Sequence, residues 1–135
     1  MYQHILIAAA LGAEKDPERS LEVAKLLATK ATRVTVLHVK EAIPGYAITY
    51  MPADYETGLK DAIRSELKEL AKGFENGRGV MVEGHSGRTI LEWADENAVD
   101  CIILNSHQPS FEDYILGSTA ARVVRHAKCS VHVIR

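Results

Sequence analysis

The sequence predicts an α/β fold, a doubly wound five-stranded parallel sheet with helices on both faces, in one domain spanning residues 1–135. Three observations predict it. Short apolar runs such as Ile5-Leu6-Ile7-Ala8-Ala9 and Ile102-Ile103-Leu104 lack the alternation of a half-solvated strand, so they suit strands covered on both faces. Stretches of helical period separate such runs, and strands that alternate with helices imply parallel βαβ units with right-handed crossovers. The length of 135 residues, 47% hydrophobic and 25% charged, fits one compact core and leaves no room for a second domain.

Each element has its own signal. After the first strand, Asp16-Pro17 supplies an N-cap and a first-turn proline, and Val23, Ala24, Leu27, Ala28 and Ala31 share a helical face opposite Glu22, Lys25 and Thr29. Arg33–Val39 is rich in β-branched residues and reads as the second strand. Glu41 to Ala53 carries Pro44, Gly45 and Pro52 with two tyrosines and reads as a long loop. The second helix has the cleanest apolar stripe: Leu59, Ile63, Leu67, Leu70 and Phe74. Gly77-Arg78-Gly79 should end it, with a third strand over Val80–Glu83. Gly84-His85-Ser86-Gly87 leads into a third helix bearing Ile90, Leu91, Ala94 and Ala98. Asp100–Leu104 is the fourth strand. The fourth helix starts at Ser118, buries Ala120, Val123, Val124 and Ala127, and turns Arg122 and Arg125 outward; Ser130–Ile134 is the fifth strand.

Composition excludes several roles. With 16 basic and 18 acidic side chains the net charge is −2, so the overall field attracts neither nucleic acid nor an anionic membrane. The amino end lacks a charged region before a long apolar run, and no apolar run is long enough to span a bilayer; the expected location is the cytoplasm. Cys101 and Cys129 lack CxxC spacing and read as buried free thiols of a reducing compartment.

In a doubly wound sheet the ligand lies beyond the carboxyl ends of the strands, where the strand order reverses; if the order is 3-2-1-4-5, as expected for this fold, that is between strands one and four. Strand four leads there into Asn105-Ser106-His107-Gln108-Pro109, and Gly117-Ser118-Thr119 opens the next helix. Unpaired N–H groups, two hydroxyls and the positive end of the dipole suit a phosphate at that helix start. The same residues also fit a plain turn at Gly117 with Ser118 as cap. His107 would there be a neutral donor to ribose or phosphate, or a solvated loop histidine.

Other chemistries lack their residues. No P-loop string occurs, Gly84-His85-Ser86-Gly87 being too short and without lysine, and no Gly-x-Gly-x-x-Gly follows the first strand. A phosphoacceptor domain would need acids where Ala8-Ala9-Ala10 stands. The six histidines form no i, i+4 pair with a third ligand, and no serine sits in a Gly-x-Ser-x-Gly elbow.

The whole chain, above all Ile103 to Arg135, resembles the universal stress protein family, and in particular its small branch with a proline in the nucleotide loop. The shared pattern is a strand ending in a small residue, Ser106-His107, a loop, Leu116-Gly117-Ser118, a helix with Val123-Val124-Arg125-His126-Ala127, and the terminal Ser130-Val131-His132-Val133 strand. The resemblance implies an adenine nucleotide alpha hydrolase-like fold. It also implies ATP, with Mg, bound by Ala10, Val39, Asn105, Ser106, His107, Gln108, Gly117, Ser118 and Thr119. Nucleotide-binding members carry Gly-x2-Gly-x9-Gly-Ser/Thr after strand four. Asn105 and Gln108 replace the first two glycines, Gly117-Ser118 keeps the last element, and Ala10 stands where such members place an aspartate. Val39 takes the place of the apolar residue packed on the adenine. No general base is identifiable, so little or no hydrolysis is expected. The resemblance further implies a homodimer formed through Val131 to Ile134, an edge strand open to pairing. Two functions fit: a nucleotide-responsive regulatory module, whose Glu41 to Ala53 loop would present a partner surface, or a nucleotide-free homodimeric scaffold or chaperone-like protein.

Overall fold

The computed structural model describes residues 1–11, 17–106 and 116–135. In chain order it contains β1 (His4–Ala8), α1 (Glu18–Leu27), β2 (Arg33–Lys40), the one-turn α2 (Gly45–Ile48), α3 (Tyr55–Ala71), β3 (Asn76–Glu83), α4 (Ser86–Glu96), β4 (Cys101–Asn105), α5 (Ser118–His126) and β5 (Ser130–Ile134). The strands form one sheet, β3-β2-β1-β4-β5, and every pairing is parallel. The predicted order and class therefore hold. The two central neighbours pair Ile5 with Cys101 and Ile7 with Ile103, so strands one and four lie side by side at the reversal of strand order.

The pleat sorts the apolar runs into two cores. Ile5, Ile7, Val34, Val36, Cys101 and Ile103 face α1 and α3, meeting Ala24, Ile63, Leu67 and Ala71. Leu6, Leu37, Ile102 and Leu104 face α4 and α5, meeting Ile90, Ala94, Ala120 and Val123. Burial on both faces is the physical reason the strand sequences show no alternation.

Several boundaries differ from the sequence reading. The predicted cap Asp16 lies outside the described residues; α1 ends at Leu27, which leaves Ala31 exposed beyond it. Glu41 to Ala53 is not wholly loop, because α2 forms inside it. Gly77-Arg78-Gly79 belongs to β3 and does not simply terminate the preceding helix. These glycines let α3 lie close on the sheet: a Cβ at Gly79 would stand 2.6 Å from the Leu67 backbone, and one at Gly77 would collide with the carbonyl oxygen of Ala71. Ala98 leaves the helical stripe altogether. It adopts φ 54 just past α4, where the Val99 N–H donates to the Ala94 carbonyl (3.0 Å) in a left-handed helix stop usually made by glycine. Val124 is half-exposed on α5, whereas Ala120 and Val123 are buried as expected.

Cys101 and Cys129 are both free. They pack against different cores, on opposite sides of the sheet. Burial pushes the Cys101 thiol up to about 11 and raises that of Cys129, so both stay protonated near neutrality.

The amino end of the sheet is sealed by His4. Its Nδ1–H donates to the Asn97 carbonyl (2.9 Å), which leaves Nε2 to accept from the Thr35 hydroxyl (2.8 Å), and its ring meets Trp93 edge-on at 5.7 Å. Burial, with Arg33 and Arg78 nearby, lowers the His4 pKa against the opposing pull of the Asn97 carbonyl and Asp100. The unfolded chain therefore binds this proton first as pH falls, and stability declines from about 6.5 down to the depressed folded value. Thermal melts should show a loss between pH 7 and 5 that His4→Asn, itself less stable, shows more weakly. Equal pH slopes for both proteins would remove His4 from the account.

Candidate functional site

The carboxyl ends of β2, β1 and β4 lie side by side along one edge of the parallel sheet, and the start of α5 is tied to the end of β4. β4 ends at Asn105, paired with Ile134 of β5. Asn105 is exposed, with the Ser20 hydroxyl of α1 directed at its side-chain oxygen from 3.5 Å. Ser106 is buried; its N–H and hydroxyl both donate to the Ile134 carbonyl, at 2.8 and 3.2 Å. Its own carbonyl accepts from the Gly117 N–H at 3.3 Å, so the two ends of the connection out of β4 are tied together. The hydroxyl of Ser106 thus holds the β4–β5 end of the sheet. His107 and Gln108 lie outside the described residues.

Gly117 is buried and is the N-cap of α5, with φ −59 and ψ 154 and no side-chain capping bond. The first helical bond runs from the Ala121 N–H to the Gly117 carbonyl (2.8 Å). Helix geometry leaves the N–H groups of Ser118, Thr119 and Ala120 without partners inside the helix. Ser118 does not cap the helix, and its side chain is exposed.

A second helix start adjoins this one. The Ser86 hydroxyl, in the first residue of α4, lies 2.8 Å from the Thr119 hydroxyl. The Thr89 N–H donates to the His85 carbonyl, which likewise frees the first N–H groups of α4 from intrahelical bonding. Two positive dipole ends therefore meet where the sequence indicated one. Sequence reasoning set the Gly84–Gly87 turn aside because it is too short for a P-loop. Its signal was a glycine and a serine placed between a strand and a helix. Gly84 is required there: its φ is +151, and a Cβ would clash with the Thr89 hydroxyl.

The nucleoside side of the predicted site is plainer. Ala10 is exposed two residues beyond β1 and brings no carboxylate. Val39 is half-buried on the α4/α5 face, in register with Val82. His38 fastens the segment after β1, its Nδ1–H donating to the Ala9 carbonyl at 2.8 Å. At the neighbouring strand ends Lys60 bridges Glu83 (3.0 Å) and Glu56 (3.6 Å), and Glu56 also faces buried Lys40 at 3.8 Å. The hydrogen bond and charge of Lys60 lower the Glu83 pKa, and Glu83 raises that of Lys60. The network pins the start of α3 to the ends of β2 and β3.

The parallel sheet with this strand order, and two helix starts at its reversal point, define a doubly wound α/β protein of the nucleotide-binding architecture. The model of the universal stress protein family matches residues 1–135. The chain belongs to that family. Universal stress protein A homolog 2 of Coxiella burnetii is 29% identical over 139 residues, covering 99% of this chain and 95% of that protein. Among solved structures, universal stress protein UspA from Lactobacillus plantarum is similar with a TM-score of 0.71 at 23% identity, covering 99% of this chain and 98% of the other. An Arabidopsis thaliana family protein with AMP bound is similar at TM-score 0.65 and 18% identity, covering 98% and 90%. Other solved universal stress proteins of this fold are complexes with cAMP and with dAMP. Among the described residues no helix is long and apolar enough to cross a membrane.

Proposed function

We propose that the chain is a regulatory stress-response protein that binds an adenine nucleotide, ATP in particular, at the carboxyl ends of β1 and β4. The observation that carries the reading is the start of α5. Its N–H groups beyond Gly117 have no intrahelical partners, the Ser118 hydroxyl is exposed, and α4 brings a second helix start alongside. The phosphates would lie on Gly117, Ser118 and Thr119, and magnesium would arrive with the triphosphate. Asn105, Ser106, His107 and Gln108 would border the ribose side, while Ala10 and Val39 would border the base. Nucleotides in solved relatives of the same fold support adenine as the base. In this reading occupancy rather than hydrolysis is the signal. Calorimetry and thermal-shift titration with MgATP, AMP and cAMP test the reading. Saturable heat and a rising melting temperature are expected, since a ligand of the folded state must stabilise it. No heat and no shift at millimolar ATP would leave the nucleotide-free scaffold reading.

The working unit in this proposal is a cytoplasmic homodimer. β5 is an edge strand in which Ser130 and His132 are exposed and Val131 and Val133 are half-buried. An open cleft of about 380 Å³ separates it from α1, where Leu26 is almost fully exposed. Pairing of two β5 strands about a two-fold axis would satisfy the open edge and cover this apolar surface. Light scattering at tens of micromolar chain should give twice the chain mass; the mass of one chain would overturn the dimer.

A further inference from the structure

Exposed apolar side chains are concentrated in one place. Of eight exposed large hydrophobic residues among the described residues, four lie between positions 46 and 55: Tyr46 (79% exposed), Ile48 (49%), Tyr50 (87%) and Tyr55 (49%). These rings do not hang on a featureless loop. Successive turn bonds fold the stretch into a compact cap: Ile48 N–H to Pro44 carbonyl (3.3 Å), Tyr50 to Ala47 (3.2 Å), Met51 to Ile48 (3.1 Å) and Tyr55 to Pro52 (3.1 Å). An ordered surface that spends so much aromatic area on water marks an interaction site.

Its charge has one sign. No lysine or arginine occurs from Glu41 to Leu59, while Glu41, Asp54 and Glu56 do. Glu56 is engaged by Lys40 and Lys60. Asp54 occupies the N-cap of α3, yet its carboxylate makes no capping bond, and among the described residues neither it nor the Glu41 carboxylate has an ion-pair partner. The cap thus carries three exposed tyrosines in a stretch with two carboxylates that have no ion-pair partner among the described residues.

We propose that this cap, residues 44–55 with Glu41, is a docking surface for a cationic, arginine- or lysine-bearing segment of a partner protein. Guanidinium or ammonium groups gain from the ring faces of Tyr46, Tyr50 and Tyr55, and Glu41 and Asp54 neutralise them. A nucleic acid, an anionic bilayer and the same cap on a second copy would each bring like charge to the carboxylates, so charge complementarity selects the cationic segment. The proposal is independent of nucleotide binding, although the cap follows directly from Val39 and Lys40.

Fluorescence anisotropy of a labelled arginine-glycine-serine repeat peptide, titrated with the full chain at low and at physiological salt, tests it. Saturable binding is expected, weakened about tenfold by Tyr46→Ala with Tyr50→Ala, and to a similar degree by Glu41→Gln with Asp54→Asn. The paired Tyr→Phe variant should keep most of the affinity, because the ring face remains. Unchanged melting temperatures in these exposed-site variants keep folding out of the comparison. Absence of saturable binding, equal affinity for the peptide with glutamate in place of arginine, or full affinity in the Tyr→Ala variant would overturn the proposal.

Discussion

Leucine in place of Gly117 is expected to remove the stabilisation that ATP confers. At a hundredfold excess over its dissociation constant a ligand of the folded state adds about 2.7 kcal/mol, and all of it should vanish. Gly117 is buried at the N-cap of α5, and its backbone angles, φ −59 and ψ 154, suit any residue, so conformation is not what a side chain would violate. A leucine there instead adds four carbons immediately before the Ser118 and Thr119 N–H groups, on which the proposed phosphates would lie. Calorimetry well below the melting temperature separates lost binding from lost folding. Ser118→Ala, which removes one exposed hydroxyl and leaves the N–H groups, should weaken ATP about tenfold at most. A thermal shift that survives Gly117→Leu would put the phosphates elsewhere.

Gly79→Val should be strongly damaging although the residue lies away from the site. The new Cβ would stand 2.6 Å from both the carbonyl carbon and the Cβ of Leu67, a residue with no exposed surface at the centre of the α1/α3 core. Relief requires α3 to move off the sheet, because the obstacle is helix backbone rather than a flexible side-chain end. The expected loss is about 3 kcal/mol, read as a lower urea midpoint with an unchanged slope. Gly58→Ala makes the opposite prediction. A Cβ at Gly58 meets nothing within 4 Å on α3, so alanine should stabilise by about 0.5–1 kcal/mol through helix propensity and a less flexible unfolded chain. Equal midpoints for the two variants would contradict the close packing of α3 on β3.

These glycines also show where reading the sequence stops. Gly77-Arg78-Gly79 looks like a helix terminator because glycine breaks local periodicity. It lies in an edge strand, and glycine stands at both its ends because α3 passes so near that only hydrogen fits. Ala98 matched the helical spacing of Ile90, Leu91 and Ala94, yet it sits past the helix end in the left-handed region, a conformation that alanine does not announce. In the candidate site, Gly117, Ser118 and Thr119 were legible because a helix start carries its own chemistry wherever it stands. Ser86 was not, because its relevance comes from a bond to a residue 33 positions away. Ser106 looked like a ligand, and its hydroxyl is used to hold the end of β5.

The sequence by itself determined the family, through the motif resemblance from Ile103 to Arg135, and the doubly wound parallel sheet, because continuous apolar runs alternating with amphipathic stretches leave few ways to bury both faces; the 3-2-1-4-5 order was an expectation that the structure bears out. It also placed the candidate site at the strand-order reversal. Only the tertiary structure decided that two helix starts meet there and that the tyrosines after β2 face water on a compact cap. It alone showed that His4 closes the amino end of the sheet through Thr35 and Asn97. The reason is range: periodicity and capping are properties of neighbours in the chain, whereas hydrogen bonds between distant hydroxyls, close helix–strand approach and exposure exist only once the layers have packed.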